Sequence, residues 1–204
     1  MILSLLTLDL SSPGVRQSLQ DAQDMHRSIM KAFDNSRQEE QVLYRMIRTS
    51  KQIQLYVQSK NMPAWDRIAQ SGFRCEKTKD ISALPVSFRK DQMLRFKLLG
   101  CPAVKKTGEG KNSRRVILKT EEEQLNWLAR QGEKYGFRIL ESCIPGKAEK
   151  ISGKKNSGAF ILSGIPFEGV LQVTDPDMFR NAFENGIGAE KAYGFGMLML
   201  SKAL

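Results

Sequence analysis

The stretch Val42-Leu-Tyr-Arg-Met-Ile-Arg48, Thr49-Ser50-Lys51, Gln52-Ile-Gln-Leu-Tyr-Val-Gln-Ser59 alternates apolar and polar residues on both sides of a polar triplet. Alternation at period two puts one face of a strand on a core and the other in water, so this stretch predicts a β-hairpin. Upstream, Met25, Ile29 and Phe33 recur at helical spacing within Asp24 to Phe33, which predicts a helix with those three residues inward. Before it, the apolar run from Ile2 to Leu10 reads as a strand closed by Ser11-Ser12-Pro13-Gly14. Downstream, Trp65 to Ser71 makes a short helical turn after Pro63, stopped by Gly72. Gln92 to Val104 then alternates again, Leu94, Phe96 and Leu98 against Arg95 and Lys97. The order is β-α-β-β-α-β.

The second half repeats it. Thr120 with Glu123 forms a capping box for a helix reaching Tyr135 and ended by Gly136. Strands follow at 137–142, 158–164 and 167–173, with a Lys- and Gly-rich basic loop or hairpin tip over 145–157. Asp175 caps a helix with Pro176 at its first position, Gly186 ends it, and 197–201 is the last strand. The first strand of this half falls to the short Val116-Ile117-Leu118. The fold class is α+β, two tandem ferredoxin-like (RRM-like) units. The apolar-free segment 105–115 (KKTGEGKNSRR) places a linker at 108–115, between units 1–107 and 116–204.

The 204 residues are 41% hydrophobic and 26% charged, the balance of a globular protein rather than a disordered one. Met1 to Leu10 has no basic flank or cleavage site, and no run approaches the ~18 apolar residues of a membrane span. A cytoplasmic protein with no membrane partner is expected. Lys and Arg number 32 against 22 Asp and Glu, a formal charge of +10, the footprint of a partner rich in phosphates. Lys105, Lys106, Lys111, Arg114, Arg115, Lys147, Lys150, Lys154 and Lys155 cluster. The three cysteines are scattered and His26 is the single histidine, so neither a disulfide framework nor a metal site is expected.

Asn185 to Gly196 (NGIGAEKAYGFG) holds Gly186, Gly188, Gly194 and Gly196 around Lys191. A dinucleotide fingerprint needs strand, glycines, then helix; here the glycines follow a helix and precede a strand, and a nucleotide cofactor is not expected. What remains is a backbone open to close approach by a bulky ligand, with Lys191 and exposed N–H groups offered to phosphates. Phe195, Tyr193 and Trp127 read as core. His26 is the one side chain that titrates near neutrality and lies beside Arg27 and near Lys31, fit for proton transfer at a phosphodiester.

The segments Gly169-Val-Leu-Gln-Val-Thr-Asp-Pro-Asp and Gly186-Ile-Gly-Ala-Glu-Lys-Ala-Tyr-Gly-Phe-Gly-Met-Leu resemble the glycine-rich signature of CRISPR repeat-processing endoribonucleases, in particular the CasE type of type I-E Cascade. Four further stretches agree in order: Asp24 to Arg27, Gln58 to Pro63, Leu94 to Pro102, and Trp127 to Arg130. The resemblance implies a tandem ferredoxin-like fold and a metal-independent, cofactor-free cut at the base of the repeat hairpin in precursor CRISPR RNA. The 2′-hydroxyl would attack its own 3′-phosphodiester, leaving a 2′,3′-cyclic phosphate and a 5′-hydroxyl.

By that resemblance His26 is the catalytic histidine, as general base or general acid. The family commonly places an assisting tyrosine three residues earlier, where this chain has Gln23, a residue that hydrogen-bonds but does not exchange a proton. Either His26 carries more of the catalysis, or a lysine, Lys31 or Lys191, compensates. Arg27, the lysines and arginines of 105–115 and 147–155, Lys191 and the four glycines of 186–196 are the candidate RNA contacts. Partners would be the repeat hairpin, the mature CRISPR RNA and other Cascade subunits. The competing reading is a hairpin-RNA binder on the same fold that does not cut.

Overall fold

A computed structural model describes residues 1–107, 113–156 and 158–203, and the side chains of all of these except 105–107 and 113–115. The first sheet is antiparallel, in the order β2 (Leu43–Arg48), β3 (Ile53–Ser59), β1 (Ile2–Leu8), β4 (Phe73–Asp80). The hairpin β2–β3 forms where the alternation predicts it; β1 buries Ile2, Ser4, Leu6 and Leu8 on one face, β3 alternates over its first five residues, and β2 departs from alternation by burying both Leu43 and Tyr44. Two helices cross between β1 and β2, α1 (Pro13–Gln20) and α2 (Ala22–Met30), and Met25, Ile29 and Phe33 turn inward as expected. The short α3 (Asp66–Ala69) leads into β4.

Two expectations are corrected here. The Ser11–Gly14 segment is not only a loop: Pro13 stands in the first turn of α1, where its missing N–H costs nothing. The fourth strand of the first sheet is Phe73–Asp80, not 92–104. Its sequence, FRCEKTKD, buries little beyond Phe73, because it is an edge strand paired only with β1.

After α4 (Ala83–Val86), the strand β5 (Met93–Gly100) opens the second sheet. That sheet runs β11 (Met199–Lys202), β5, β10 (Gly158–Val173), β8 (Phe137–Cys143). Position in the hydrogen-bond ladder, not in the chain, sets the unit: Leu94 to Gly100 pair with Ile165 to Leu171. The units 1–107 and 116–204 therefore do not match the sheets. The last three residues of the expected linker, 113–115, belong to a strand: β7 (Ser113–Ile117) pairs with β6 (Ala103–Thr107) in a two-stranded ribbon inserted between β5 and α5 (Glu121–Lys134). Val116 and Ile117 belong to this ribbon, and of the expected linker 108–112 lies outside the described residues.

Both sheets have the strand order of a ferredoxin-like unit, so the chain is a tandem ferredoxin-like protein. Thr120 and Glu123 make the capping box of α5, and Asp175 caps α6 (Pro176–Asn185) through the amides of Asp177 and Met178. The strands expected at 158–164 and 167–173 are one 16-residue strand, β10. Its first half pairs with β9 (Glu149–Lys155), so the basic loop is a hairpin standing out from the sheet. Among the described residues, no helix is long and apolar enough to cross a membrane.

Candidate active site

The two units meet around α2. Each has its own apolar core, and a third, smaller cluster of Ala22, Leu99, Cys101, Tyr193 and Phe195 joins them beneath the N-terminal end of α2. Arg45 on β2 grips Glu149 on β9 with both terminal guanidinium nitrogens, Nη2 to Oε1 and Nη1 to Oε2, the latter at 2.9 Å. Gln58 donates to the Phe183 carbonyl at 2.8 Å, and the Tyr44 hydroxyl to the Ala192 carbonyl at 3.0 Å.

Asp21 caps α2, its Oδ1 accepting from the Gln23 amide at 2.8 Å. Gly153 on β9 lies so near that a Cβ there would stand 2.9 Å from the same oxygen. With the hairpin pressed on the helix start, the outward face of α2 becomes one wall of a groove. Gln23, Arg27, Lys154, Lys155 and Asn156 line it.

His26 is half-buried one turn along from Gln23. Burial pushes its pKa below the ordinary 6.5, and the nearby Arg37 guanidinium pushes it further. The neutral imidazole, with one nitrogen free to accept a proton, is thus the favoured form. The Tyr193 ring meets His26 edge-on, centroids 6.4 Å apart. Lys155 Nζ stands 5.1 Å above both the Tyr193 and Phe160 rings. The Tyr193 phenol, and more weakly Glu190, hold the Lys155 ammonium above its ordinary pKa.

The glycine segment does something other than expected. Gly186, Gly188, Gly194 and Gly196 all have φ between 75° and 85°, a region costly to residues with a Cβ. A Cβ at Gly196 would lie 2.4 Å from the Ile187 carbonyl oxygen, and one at Gly186 2.8 Å from Leu43. The amides of Gly186, Ile187, Tyr193 and Gly196 bond to carbonyls inside the protein. Of the four glycines, Gly186 and Gly196 therefore turn their N–H groups into the protein, and there the close approach is made by the protein's own backbone and core. The segment is a scaffold that carries Lys191 and Tyr193 to α2.

Of the candidates, His26, Gln23, Arg27, Lys154 and Lys155 come together. Lys191 is half-buried, and its pKa is lowered by burial and by the charges of Arg37 and Lys134. Lys31 is exposed at the C-terminal end of α2, and Lys147 and Lys150 are exposed on and before β9. Lys105 pairs with Arg115 and Lys106 with Arg114 along the ribbon, their side chains outside the described part. Trp127 and Phe195 are core, as expected. Tyr193 is core by its ring alone: its hydroxyl reaches the groove wall. Arg37 carries no sequence signal at all.

Two ferredoxin-like units closed on a histidine-bearing helix, with a basic hairpin alongside, define a tandem ferredoxin-like protein with a cationic groove. Residues 1–202 match the family described as CRISPR associated protein, and the chain belongs to that family. It is 29% identical over 98% of its length to the whole of "CRISPR-associated endoribonuclease Cse3" from Thermus thermophilus. Structures of Cse3 bound to a 19-nucleotide RNA (29% identity, 98% of this chain and 100% of that one, TM-score 0.86) and of Thermus thermophilus Cse3 with an RNA representing a pre-cleavage complex (28%, 98% and 98%, 0.87) are similar to it. The CRISPR-associated protein Cas6e of Escherichia coli K-12 shares the fold at 21% identity, with full coverage of both chains and a TM-score of 0.76.

Proposed function

We propose that this protein is a metal-independent endoribonuclease that cuts the CRISPR repeat in precursor CRISPR RNA at the base of its hairpin. The first sheet and α2 supply the histidine; the second unit supplies the hairpin and glycine segment. The reading rests above all on one observation: the single histidine is held half-buried and neutral beside a groove walled by Arg27, Lys154 and Lys155.

A neutral imidazole is suited to take the 2′-hydroxyl proton. The 2′-oxygen then bonds to phosphorus, the bond from phosphorus to the 5′-oxygen breaks, and that oxygen takes a proton from solvent. The products are a 2′,3′-cyclic phosphate and a 5′-hydroxyl. An A-form stem presents phosphates rather than readable base edges in its deep groove, so shape and charge carry recognition. Lys147, Lys150 and Lys154 along the hairpin suit the stem, and Lys105, Lys106, Arg114 and Arg115 its backbone. The protein works in the cytoplasm and keeps its product within a Cascade-type assembly.

Single-turnover cleavage of a repeat hairpin in EDTA tests the reading. Wild type should yield the cyclic phosphate, and His26→Ala should lose about 10²–10⁴-fold in rate with binding retained. Tight binding without cleavage by wild type would make the protein a hairpin-RNA binder instead.

A further inference from the structure

Gln23 stands in the groove wall where the resemblance leads one to expect a phenol, and a phenol is nonetheless there. The Tyr193 hydroxyl donates to Gln23 Oε1 at 2.8 Å, across 170 residues of chain. Tyr193 is only 6% exposed, and its ring is locked between His26, Phe160 at 4.9 Å and the Lys155 ammonium. Its hydroxyl proton is thus committed to the amide. With Oε1 occupied, the amide keeps its two Nε2 hydrogens as donors. Asp21 fixes the backbone of the same residue, accepting from its amide N–H at 2.8 Å. Gln23 is therefore held at both ends, one helical turn from His26 and on the same face.

We propose that Tyr193 is a positioning residue that orients Gln23 so that Nε2 donates to a non-bridging oxygen of the scissile phosphate. This deepens the endoribonuclease reading and rests on it. Attack by the 2′-oxygen gathers negative charge on those oxygens, and a preoriented donor stabilises that charge more than it stabilises the bound substrate. The family's assisting phenol is replaced here by an amide for the charge and a phenol from the glycine segment to aim it. Neither group exchanges a proton in the reaction.

The test is a double-mutant cycle read by single-turnover cleavage, with affinity measured on a hairpin carrying a 2′-deoxy nucleotide at the cut. Gln23→Ala should slow cleavage about 10²-fold and Tyr193→Phe about 10-fold, affinity changing less than about 3-fold in both. The double variant should be no slower than Gln23→Ala. Gln23→Glu keeps an acceptor for the phenol but loses the donor, and should be at least as slow as Gln23→Ala. The pH profile of Tyr193→Phe should keep the wild-type midpoint.

Wild-type rate in Tyr193→Phe, additive losses in the double variant, or full rate in Gln23→Glu would each overturn the inference. If His26→Ala abolishes cleavage while Tyr193→Phe cuts normally, the endoribonuclease reading stands and this one falls. A wild type that binds and does not cut overturns both.

Discussion

Asp21 Oδ1 accepts the backbone N–H of Lys154 at 3.3 Å, joining the start of α2 to the hairpin β9–β10 across 133 residues. The same oxygen caps α2. One carboxylate thus sets both the helix that carries His26 and the height at which the hairpin stands over it.

Asp21→Ala should destabilise the protein by about 0.5–2 kcal/mol, the usual cost of a lost cap, and slow cleavage through the displaced hairpin. Asp21→Asn keeps a capping oxygen and should melt within a degree or two of wild type. Thermal melts of the two variants side by side check this.

The pH dependence follows from His26. Its folded pKa lies below 6.5 because burial and Arg37 disfavour the charged ring. As a base it must be neutral, so the cleavage rate should rise with pH and reach half its plateau below pH 6.5. Arg37→Gln removes one of the two causes and should move that midpoint upward, towards 6.5. A rate that falls with rising pH through this range would give His26 the acid's role instead.

Lys150→Ala and Lys154→Ala should each weaken hairpin binding by a similar factor whatever the stem sequence. Each should flatten the plot of log affinity against log salt by about one unit. Titrations at four salt concentrations would show it, and a change confined to one stem sequence would mean base readout.

Gly196→Ala meets both a φ of 81° and a carbonyl oxygen 2.4 Å from the new methyl. We expect a loss of about 2–4 kcal/mol, roughly 5–15 °C in Tm for a chain of this size. Gly158→Ala shares the positive φ (122°) but has nothing within 4 Å, and should cost only about 1–2 kcal/mol.

Most helices and the hairpin β2–β3 were legible because each pairs a clear hydrophobic period with explicit end signals, such as Thr120 with Glu123 or Asp175 with Pro176. β4 was not: an edge strand with one buried residue carries almost no period. The strand at Met93–Gly100 was legible as a strand but not in its partners, which lie about 65–110 residues further along the chain. The same limit applies to the site. His26 announces itself as the single histidine, and Gln23 only through the resemblance, as the residue standing where the family commonly has a tyrosine. Tyr193 and Arg37 join them only through tertiary packing, and the glycines flanking Tyr193 signalled backbone freedom without saying what would come close.

The bond from Tyr193 to Gln23 also has a consequence in time. A ribosome makes α2 early and delivers Tyr193 170 residues later; at typical elongation rates of about 5–20 residues per second, that delay is on the order of ten seconds or more. The glycine segment, moreover, docks on Leu43 and leads into β11, which must find β5 before the second sheet closes. During synthesis the first unit therefore holds its histidine without the partner that aims Gln23. Such a nascent chain should be a poor nuclease, so that competence to cut arrives only once the glycine segment has been made and has docked on α2.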